Sequence, residues 1–211
     1  MMNPILQSRN WRYATKKFDP TKKVSEEDLA VLLEATRLSA SSYGLQPYHI
    51  YVITDQELKK ALRKASWDQS QIEDASHIIV FANYSDFDGA LVDDYLELTS
   101  ATRAIPLPKL QGYGDFMKST LLGLPTASKN DWTIKQAYLA LGNLMQAAAE
   151  LQIDTCPMEG FEAEKYNDLL GLTDKNQNTA VVLPIGYRSE EDQTQHLAKV
   201  RRTNEALFTH I

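Results

Sequence analysis

The sequence lacks the features that mark several common classes of protein. Its 211 residues include one cysteine, Cys156, so no internal disulfide framework can form. No stretch approaches the roughly 18 consecutive apolar residues that indicate a membrane-spanning helix. The first residues lack the basic head and long apolar run of a signal peptide. We therefore expect a cytoplasmic protein without a membrane partner.

The motifs of common nucleotide-binding and hydrolytic enzymes are missing as well. A dinucleotide-binding fingerprint would need a third glycine after Gly112 and Gly114, but Met117 stands at that position. The chain has no phosphate-binding P-loop, no zinc-type pairing of cysteine and histidine, and no Gly-x-Ser-x-Gly elbow. These absences argue against Rossmann, P-loop and serine-hydrolase enzymes, and they predict no metal site.

The charge balance disfavours polyanionic partners. With 28 acidic and 22 basic residues the net charge is −6, whereas surfaces that bind nucleic acid or anionic membranes are basic. The hydrophobic content of 43% is ordinary for a soluble globular protein. A chain of this length can bury one sizeable core. We expect a single domain over residues 1–211 and no nucleic-acid partner.

Helix and strand signals are spread along the whole chain. Ser25 is a predicted helix N-cap, with Asp28 three residues on and an apolar face that ends near Leu38. A short charged helix is predicted for residues 56–64, and a long alanine-rich helix, capped by Asn130 or Asp131, from about Thr133 to Leu151. Strands are predicted at residues 50–53, 78–82, 155–158 and 180–185. The mixture predicts an α+β layered fold; a doubly wound α/β sheet is the alternative from pattern alone.

Proline and glycine are concentrated in one segment, residues 104–128. The residues concerned are Pro106, Pro108, Gly112, Gly114, Gly123 and Pro125. Both residue types interrupt regular structure, so this segment is predicted to be a mobile loop.

Four short segments, taken together and in order, resemble the FMN-dependent nitroreductase family. They are residues 12–18 (RYATKKF), 39–48 (SASSYGLQPY), 157–161 (PMEGF) and 199–201 (KVR). The resemblance covers nearly the whole chain and fades between about Asp86 and Ser128. It implies an NAD(P)H nitroreductase of the oxygen-insensitive type: a homodimer with a central mixed sheet flanked by helices, and a non-covalently bound FMN.

The resemblance also implies which residues hold the flavin phosphate. Arg12, Lys199 and Arg201 supply charge-assisted donors, and arginine can grip two phosphate oxygens at once. Taken singly, each would be interpreted as a solvated surface cation. Tyr13 and Ala14 fall where the family makes further contacts. Because Ala14 lacks the hydroxyl of the serine often found there, only a backbone contact is expected from it.

Two further groups of residues are implied to contact the flavin. The hydroxyls of Ser41 and Ser42 would meet the phosphate and ribityl chain of the partner subunit's flavin. The turn at Glu159 and Gly160 would present backbone N–H groups to the N5 and O4 edge, since a glycine permits close approach. No side chain is a nucleophile, although Glu159 could order substrate or water.

The pyrimidine end of the flavin is implied to lie near Lys16. Asp68 and Gln71 map to positions where relatives often carry asparagine and lysine, so this site is less cationic. Cys156 is predicted to be a buried strand residue. Trp67 and Trp132 could form an aromatic wall with two neighbours from the 104–128 segment, but core packing is the preferred interpretation of each tryptophan.

The implied function is an FMN-dependent NAD(P)H oxidoreductase. A hydride would pass from the nicotinamide to flavin N5, and a small-molecule oxidant such as a nitroaromatic or a quinone would then take two electrons. Two alternatives stay open: reduction of pteridines or enones by the same flavin, and a non-enzymatic protein that stores or senses FMN. No motif distinguishes NADH from NADPH.

Overall fold

A four-stranded sheet of strand order β1-β2-β4-β3 organises the computed structural model, which describes residues 3–211. The strands are β1 (Tyr48–Ile53), β2 (His77–Tyr84), β3 (Asp154–Thr155) and β4 (Gln177–Gly186). All three strand pairs are antiparallel. Among the described residues, one isolated bridge is parallel: it joins Ala14 to Thr155 and attaches an N-terminal segment to the edge strand. The four-stranded sheet is therefore antiparallel, and the prediction that it would be mixed was wrong.

Helices cover both faces of this sheet. They are α1 (Pro4–Trp11), α2 (Glu26–Arg37), α3 (Gln56–Lys64), α4 (Gln71–Asp74), α5 (Ala90–Arg103), α6 (Gln111–Leu121), α7 (Thr126–Glu150), α8 (Ala163–Leu170) and α9 (Asn204–Leu207). Within residues 3–211, no helix is both long and apolar enough to cross a membrane.

Strand β2 shows why the helices lie on both sides. Successive side chains of a strand point to opposite faces. Ile79 and Phe81 therefore enter one core, with residues of α2 and α7. Ile78 and Val80 enter the second core, with residues of α3 and α8. A strand covered on both faces is a continuous apolar run, as the sequence predicted here.

The helix boundaries follow their capping residues where such residues exist. The Ser25 hydroxyl accepts a hydrogen bond from the Asp28 N–H at 3.0 Å and caps α2 as predicted. The predicted helix over residues 56–64 is also present. Helix α7, in contrast, begins at Thr126, directly after Pro125, and not near Thr133. The predicted cap Asn130 lies inside the helix, where its side chain accepts a hydrogen bond from Asn83.

The 104–128 segment is largely helical, so the prediction of a loop was wrong about its secondary structure. Its glycine at position 114 serves packing: a Cβ placed there would lie 2.5 Å from Leu96 Cδ1 of α5. Helix α6 can approach α5 because that Cβ is absent. Met117 and Leu121 of α6 are buried in a third apolar cluster with Leu96. The mobility of the segment stays a prediction.

Candidate functional site

Cations from the two ends of the chain meet beside Arg12. Lys199 Nζ donates hydrogen bonds to the carbonyl oxygens of Arg9, at 2.7 Å, and of Arg12. Burial, followed by the charges of Arg201 and Arg9, lowers the pKa of the Arg12 guanidinium. Burial and the charges of Arg12 and Arg201 lower the pKa of Lys199 in the same way. Like charges this close repel, so the group is arranged to receive an anion.

An unpaired donor at Arg12 points to the same conclusion. Arg12 Nε is buried and has no hydrogen-bond partner within residues 3–211. Leaving a charged donor unpaired is costly, and an anionic oxygen would relieve that cost with a short, charge-assisted bond. The predicted phosphate ligands Arg12, Lys199 and Arg201 are therefore brought together, and their chemistry fits a phosphate group.

Asp192 holds the backbone that follows Arg12. Its Oδ2 accepts hydrogen bonds from the Tyr13 hydroxyl at 2.8 Å, the Lys16 N–H at 2.8 Å and the Lys17 N–H at 3.2 Å. Burial acts to raise the pKa of Asp192, but these bonds prevail and lower it. Burial and the bond to Asp192 raise the pKa of Tyr13. The predicted ligand Tyr13 thus has its hydroxyl engaged within the protein.

Ala14, Lys16 and Gln71 lie around the end of strand β3. Ala14 is fixed by its bridge to Thr155, and its methyl packs against the second core. Burial raises the pKa of the Cys156 thiol, while the charge of Lys16 and a hydrogen bond from Gln71 oppose that shift. Cys156 is 1% exposed, which confirms its predicted burial. Lys16 itself reaches solvent, so its ammonium is available to a bound group.

The turn at Glu159 and Gly160 is held by two contacts. Gln69 Nε2 donates to the Gly160 carbonyl at 2.9 Å, and the Tyr138 hydroxyl donates to Glu159 Oε1 at 2.5 Å. A Cβ on Gly160 would lie 2.8 Å from Trp67 Cζ3, so glycine is needed for this approach. Trp67 is 67% exposed. Core packing, the preferred interpretation of Trp67, was therefore wrong.

Asp68 is engaged elsewhere. Its backbone has a positive φ of 60°, directly after Trp67 at 53°. Its carboxylate pairs with Arg63 of α3 at 2.9 Å. It also borders a cavity of about 750 Å³ between α3 and α8. The structure thus joins Asp68 to α3 and not to the Lys16, Gln71 and Cys156 group.

Ser41 and Ser42 lie across α7 from the Glu159 turn. The Ser41 hydroxyl accepts from the Gln46 N–H at 3.0 Å, and the Ser42 N–H donates to Gln136 Oε1 at 2.8 Å. Gln136 and Tyr138 are two residues apart on α7, which turns their side chains about 200° from one another. Within one protomer, the structure therefore does not bring the serines to the Glu159 turn.

The cavities of the single protomer do not mark this site. The one of about 650 Å³ is lined by residues such as Tyr84, Phe87 and Lys129, and the one of about 750 Å³ includes only Asp68 of the predicted residues. The gathered cations and the Gly160 turn are instead partly exposed at the protein surface.

Sequence reasoning missed the residues that hold the site in place. Asp192, Arg188 and Asp154 lie outside the four resembling segments. Their partners are distant in the chain, as with Tyr13 and Asp192, which are 179 positions apart. No local pattern signals such a pair.

Comparisons with known proteins settle the family. The Nitroreductase family model matches residues 10–187. A Staphylococcus epidermidis protein, provisionally named an NAD(P)H nitroreductase, is 35% identical over 100% of this chain and 98% of its own. The chain belongs to the nitroreductase family. A Staphylococcus aureus relative with the same provisional name is 38% identical over 90% of this chain and 89% of its own.

Solved structures confirm the nitroreductase fold. A provisionally named nitroreductase of Bacillus subtilis has a TM-score of 0.87 at 21% identity and covers 98% of each chain. A provisionally named nitroreductase of Exiguobacterium sibiricum, solved in complex with FMN, has a TM-score of 0.83 at 20% identity, covering 100% of this chain and 99% of that one. The predicted family and α+β fold are confirmed.

Proposed function

We propose that this nitroreductase-family protein is a homodimeric, FMN-dependent NAD(P)H oxidoreductase that reduces nitroaromatics or quinones. The observation that carries the proposal is the unpaired Nε of Arg12 among cations from both ends of the chain. The names of the relatives as NAD(P)H nitroreductases and the FMN complex of a similar fold support it.

The phosphate of FMN would be held by Arg12, Lys199 and Arg201. Arg12 offers the unpaired Nε and its planar fork. Lys199 has three N–H donors and uses two of them on carbonyl oxygens, so one stays available. Arg201 Nη1 is engaged by the Val200 carbonyl, which leaves the rest of its guanidinium for the phosphate.

The reacting end of the flavin would lie between Lys16 and the Gly160 turn. When bound, FMN supplies the two-electron chemistry, since it accepts and donates hydride at N5. Lys16 would stabilise negative charge at the pyrimidine end, beside Gln71. The Gly160 backbone would contact the opposite edge, and Glu159, held by Tyr138, would order a substrate or water. No residue is needed as a nucleophile.

The other half of the site would come from a second copy of the chain. The partner subunit's Ser41 and the partner subunit's Ser42 would reach the phosphate and ribityl chain. Exposed apolar side chains on α1, α2, α7 and the C-terminal segment support such a dimer, because a large apolar surface favours association. They include Ile5, Leu6, Leu38, Leu139, Val200 and Phe208.

A simple experiment tests the proposal. The purified protein should release FMN, and not FAD, on denaturation, as measured by mass spectrometry. Under anaerobic conditions NADH or NADPH should bleach the flavin absorbance, and a quinone should restore it. Bleaching by neither donor would favour a protein that only binds FMN. Failure to bind FMN after reconstitution would refute the proposal.

A further inference from the structure

The Arg188 guanidinium contacts two aromatic rings, one on each side of Arg12 in the chain. Its guanidinium carbon lies 4.3 Å from the centre of the Trp11 ring and 4.6 Å from that of the Tyr13 ring. Both distances are within the range of a cation–π interaction. Trp11 and Tyr13 are the immediate neighbours of Arg12, so one guanidinium contacts the residues on both sides of it.

Arg188 is itself fixed by a buried carboxylate. Its Nε donates to Asp154 Oδ1 at 2.9 Å, and its Nη2 donates to the same oxygen at 2.6 Å. Its backbone N–H donates to Asp154 Oδ2 at 2.8 Å. Asp154 is 3% exposed and also accepts a bond from the Thr15 hydroxyl at 3.3 Å. Since side chain and backbone are both tied to Asp154, Arg188 is a rigid support.

The backbone conformation at Arg12 determines where its side chain points relative to Arg188. Arg12 is extended, with φ −71° and ψ 142°. These are polyproline II values, and with three residues per turn a side chain points about 120° away from those of both its neighbours. Because Trp11 and Tyr13 both face Arg188, the Arg12 side chain is directed away from Arg188, and the charge of Arg201 acts on it there.

We propose that Arg188 is a positioning residue for phosphate recognition. By clamping Trp11 and Tyr13 it fixes the orientation of the Arg12 guanidinium. It thereby sets how strongly the site prefers a flavin that carries a phosphate monoester over riboflavin, which has none. The inference rests on the proposed FMN-binding function. Arg188 acts through its neighbours, and its fork is occupied by Asp154.

The variants must weaken the contacts of Arg188 with Trp11 and Tyr13 without leaving a buried charge unpaired. Arg188→Met alone would leave Asp154 buried and unpaired, which is strongly destabilising. The double variant Asp154→Asn/Arg188→Met removes both charges together. Trp11→Leu removes one ring and leaves the ion pair intact. Arg188→Lys keeps the charge but lacks the planar fork. Arg103→Met is the matched control, because this exposed arginine of α5 lies outside the site.

The measurement is the dissociation constant of each variant for FMN and for riboflavin, with the melting temperature recorded in parallel. In the double variant we expect the constant for FMN to rise about tenfold, equivalent to about 1.4 kcal/mol. The constant for riboflavin should change less than about twofold, equivalent to about 0.4 kcal/mol. Trp11→Leu should reduce the FMN preference by a smaller factor, Arg188→Lys should retain part of it, and Arg103→Met should match the unchanged protein.

The outcomes separate the inference from the proposed function. Equal weakening of FMN and riboflavin, together with a lower melting temperature, would assign Arg188 to general stability and overturn the inference. An unchanged preference for FMN over riboflavin in both the double variant and Trp11→Leu would also overturn the inference. In that case, FMN binding by the unchanged protein would still support the proposed function. Failure of the unchanged protein to bind FMN would refute both.

Discussion

The two groups of residues predicted to contact the flavin differ in how the chain holds them. The Arg12–Lys17 segment is fixed from several directions by residues distant in sequence, above all Asp192 and Arg188. Ser41 and Ser42 are held locally and by α7, on the side away from the Glu159 turn. The first group is organised within one protomer, whereas under the proposed function the second would serve another. Under that proposal, a single chain would hold only part of the site.

The largest effect is expected from Arg12→Met. A hydrogen bond to a charged group contributes about 1.5–3 kcal/mol, so FMN binding should weaken roughly 10- to 100-fold. Riboflavin, which lacks the phosphate, should bind almost as before. Titrations of both ligands by flavin fluorescence would measure this difference. Equal losses for the two ligands would show that Arg12 does not bind the phosphate. The Arg12–Lys17 segment would then not differ from Ser41 and Ser42 in the way described above.

Asp192→Asn tests how firmly the Arg12–Lys17 segment is held. The variant weakens bonds from Tyr13, Lys16 and Lys17, so the free energy of unfolding should fall by about 1–3 kcal/mol at pH 7. The native pKa of Asp192 is lowered. Its contribution is therefore present above the unfolded pKa of about 4 and is lost as the pH falls through the lower native value.

The free energies of unfolding of Asp192→Asn and of the unchanged protein should therefore approach each other as the pH falls. Denaturant unfolding of both proteins, from pH 7 down to acid, would measure this. Asp19→Asn is a suitable control, because the pKa of Asp19 is also lowered, by bonds from Thr21, but it lies outside the segment. A difference that stays constant with pH would show that the charge of Asp192 contributes nothing.

Lys16→Met should shift the redox properties more than the binding. A cation near the pyrimidine end stabilises the reduced flavin. A unit charge about 4 Å away contributes up to ~4 kcal/mol at an effective dielectric of ~20. Exposure to solvent reduces this to about half, which corresponds to roughly 40 mV for two electrons. The potential of bound FMN should therefore become more negative by a few tens of millivolts. Spectroelectrochemical titration, with Lys17→Met as the neighbouring control, would detect it. An unchanged or more positive potential would place Lys16 elsewhere.

The smallest effect is expected from replacing both hydroxyls in Ser41→Ala/Ser42→Ala. Exposed neutral hydrogen bonds contribute toward the low end of about 0.5–1.5 kcal/mol, and about 0.7 kcal/mol for each of the two should raise the FMN dissociation constant about tenfold. Ser39→Ala is the control, because its hydroxyl is bonded to Asn143. FMN binding that is as tight as in that control would remove the serines from the site.

The parts of this fold that the sequence could predict are those with local signals. Ser25 and the apolar run of β2 mark their elements by capping and by burial, and both were found. Helix α7 begins after Pro125 without a side-chain cap, so its true start left no such signal. Gly114 was interpreted as a breaker, although it permits close helix packing.

The site was predictable only as far as short segments resemble the family. Arg12, Lys199 and Arg201 were named and do meet. Asp68 was named too, but Arg63 engages its carboxylate. The positioning residues, Arg188 among them, act through tertiary ion pairs and ring contacts that have no sequence period. The role of each predicted ligand, and the cytoplasmic location, stay predictions.

The most direct test of a shared site uses mixed dimers. One subunit would carry Arg12→Met and the other Ser41→Ala/Ser42→Ala, each with a different affinity tag so that only heterodimers are purified. If each flavin uses Arg12 from one chain and the partner's Ser41 and the partner's Ser42, one site per dimer is damaged twice and the other is intact. We predict that half of the sites bind FMN with unchanged affinity. Two weakened sites, one with the loss of Arg12→Met and the other with that of Ser41→Ala/Ser42→Ala, and none at full affinity, would contradict the account.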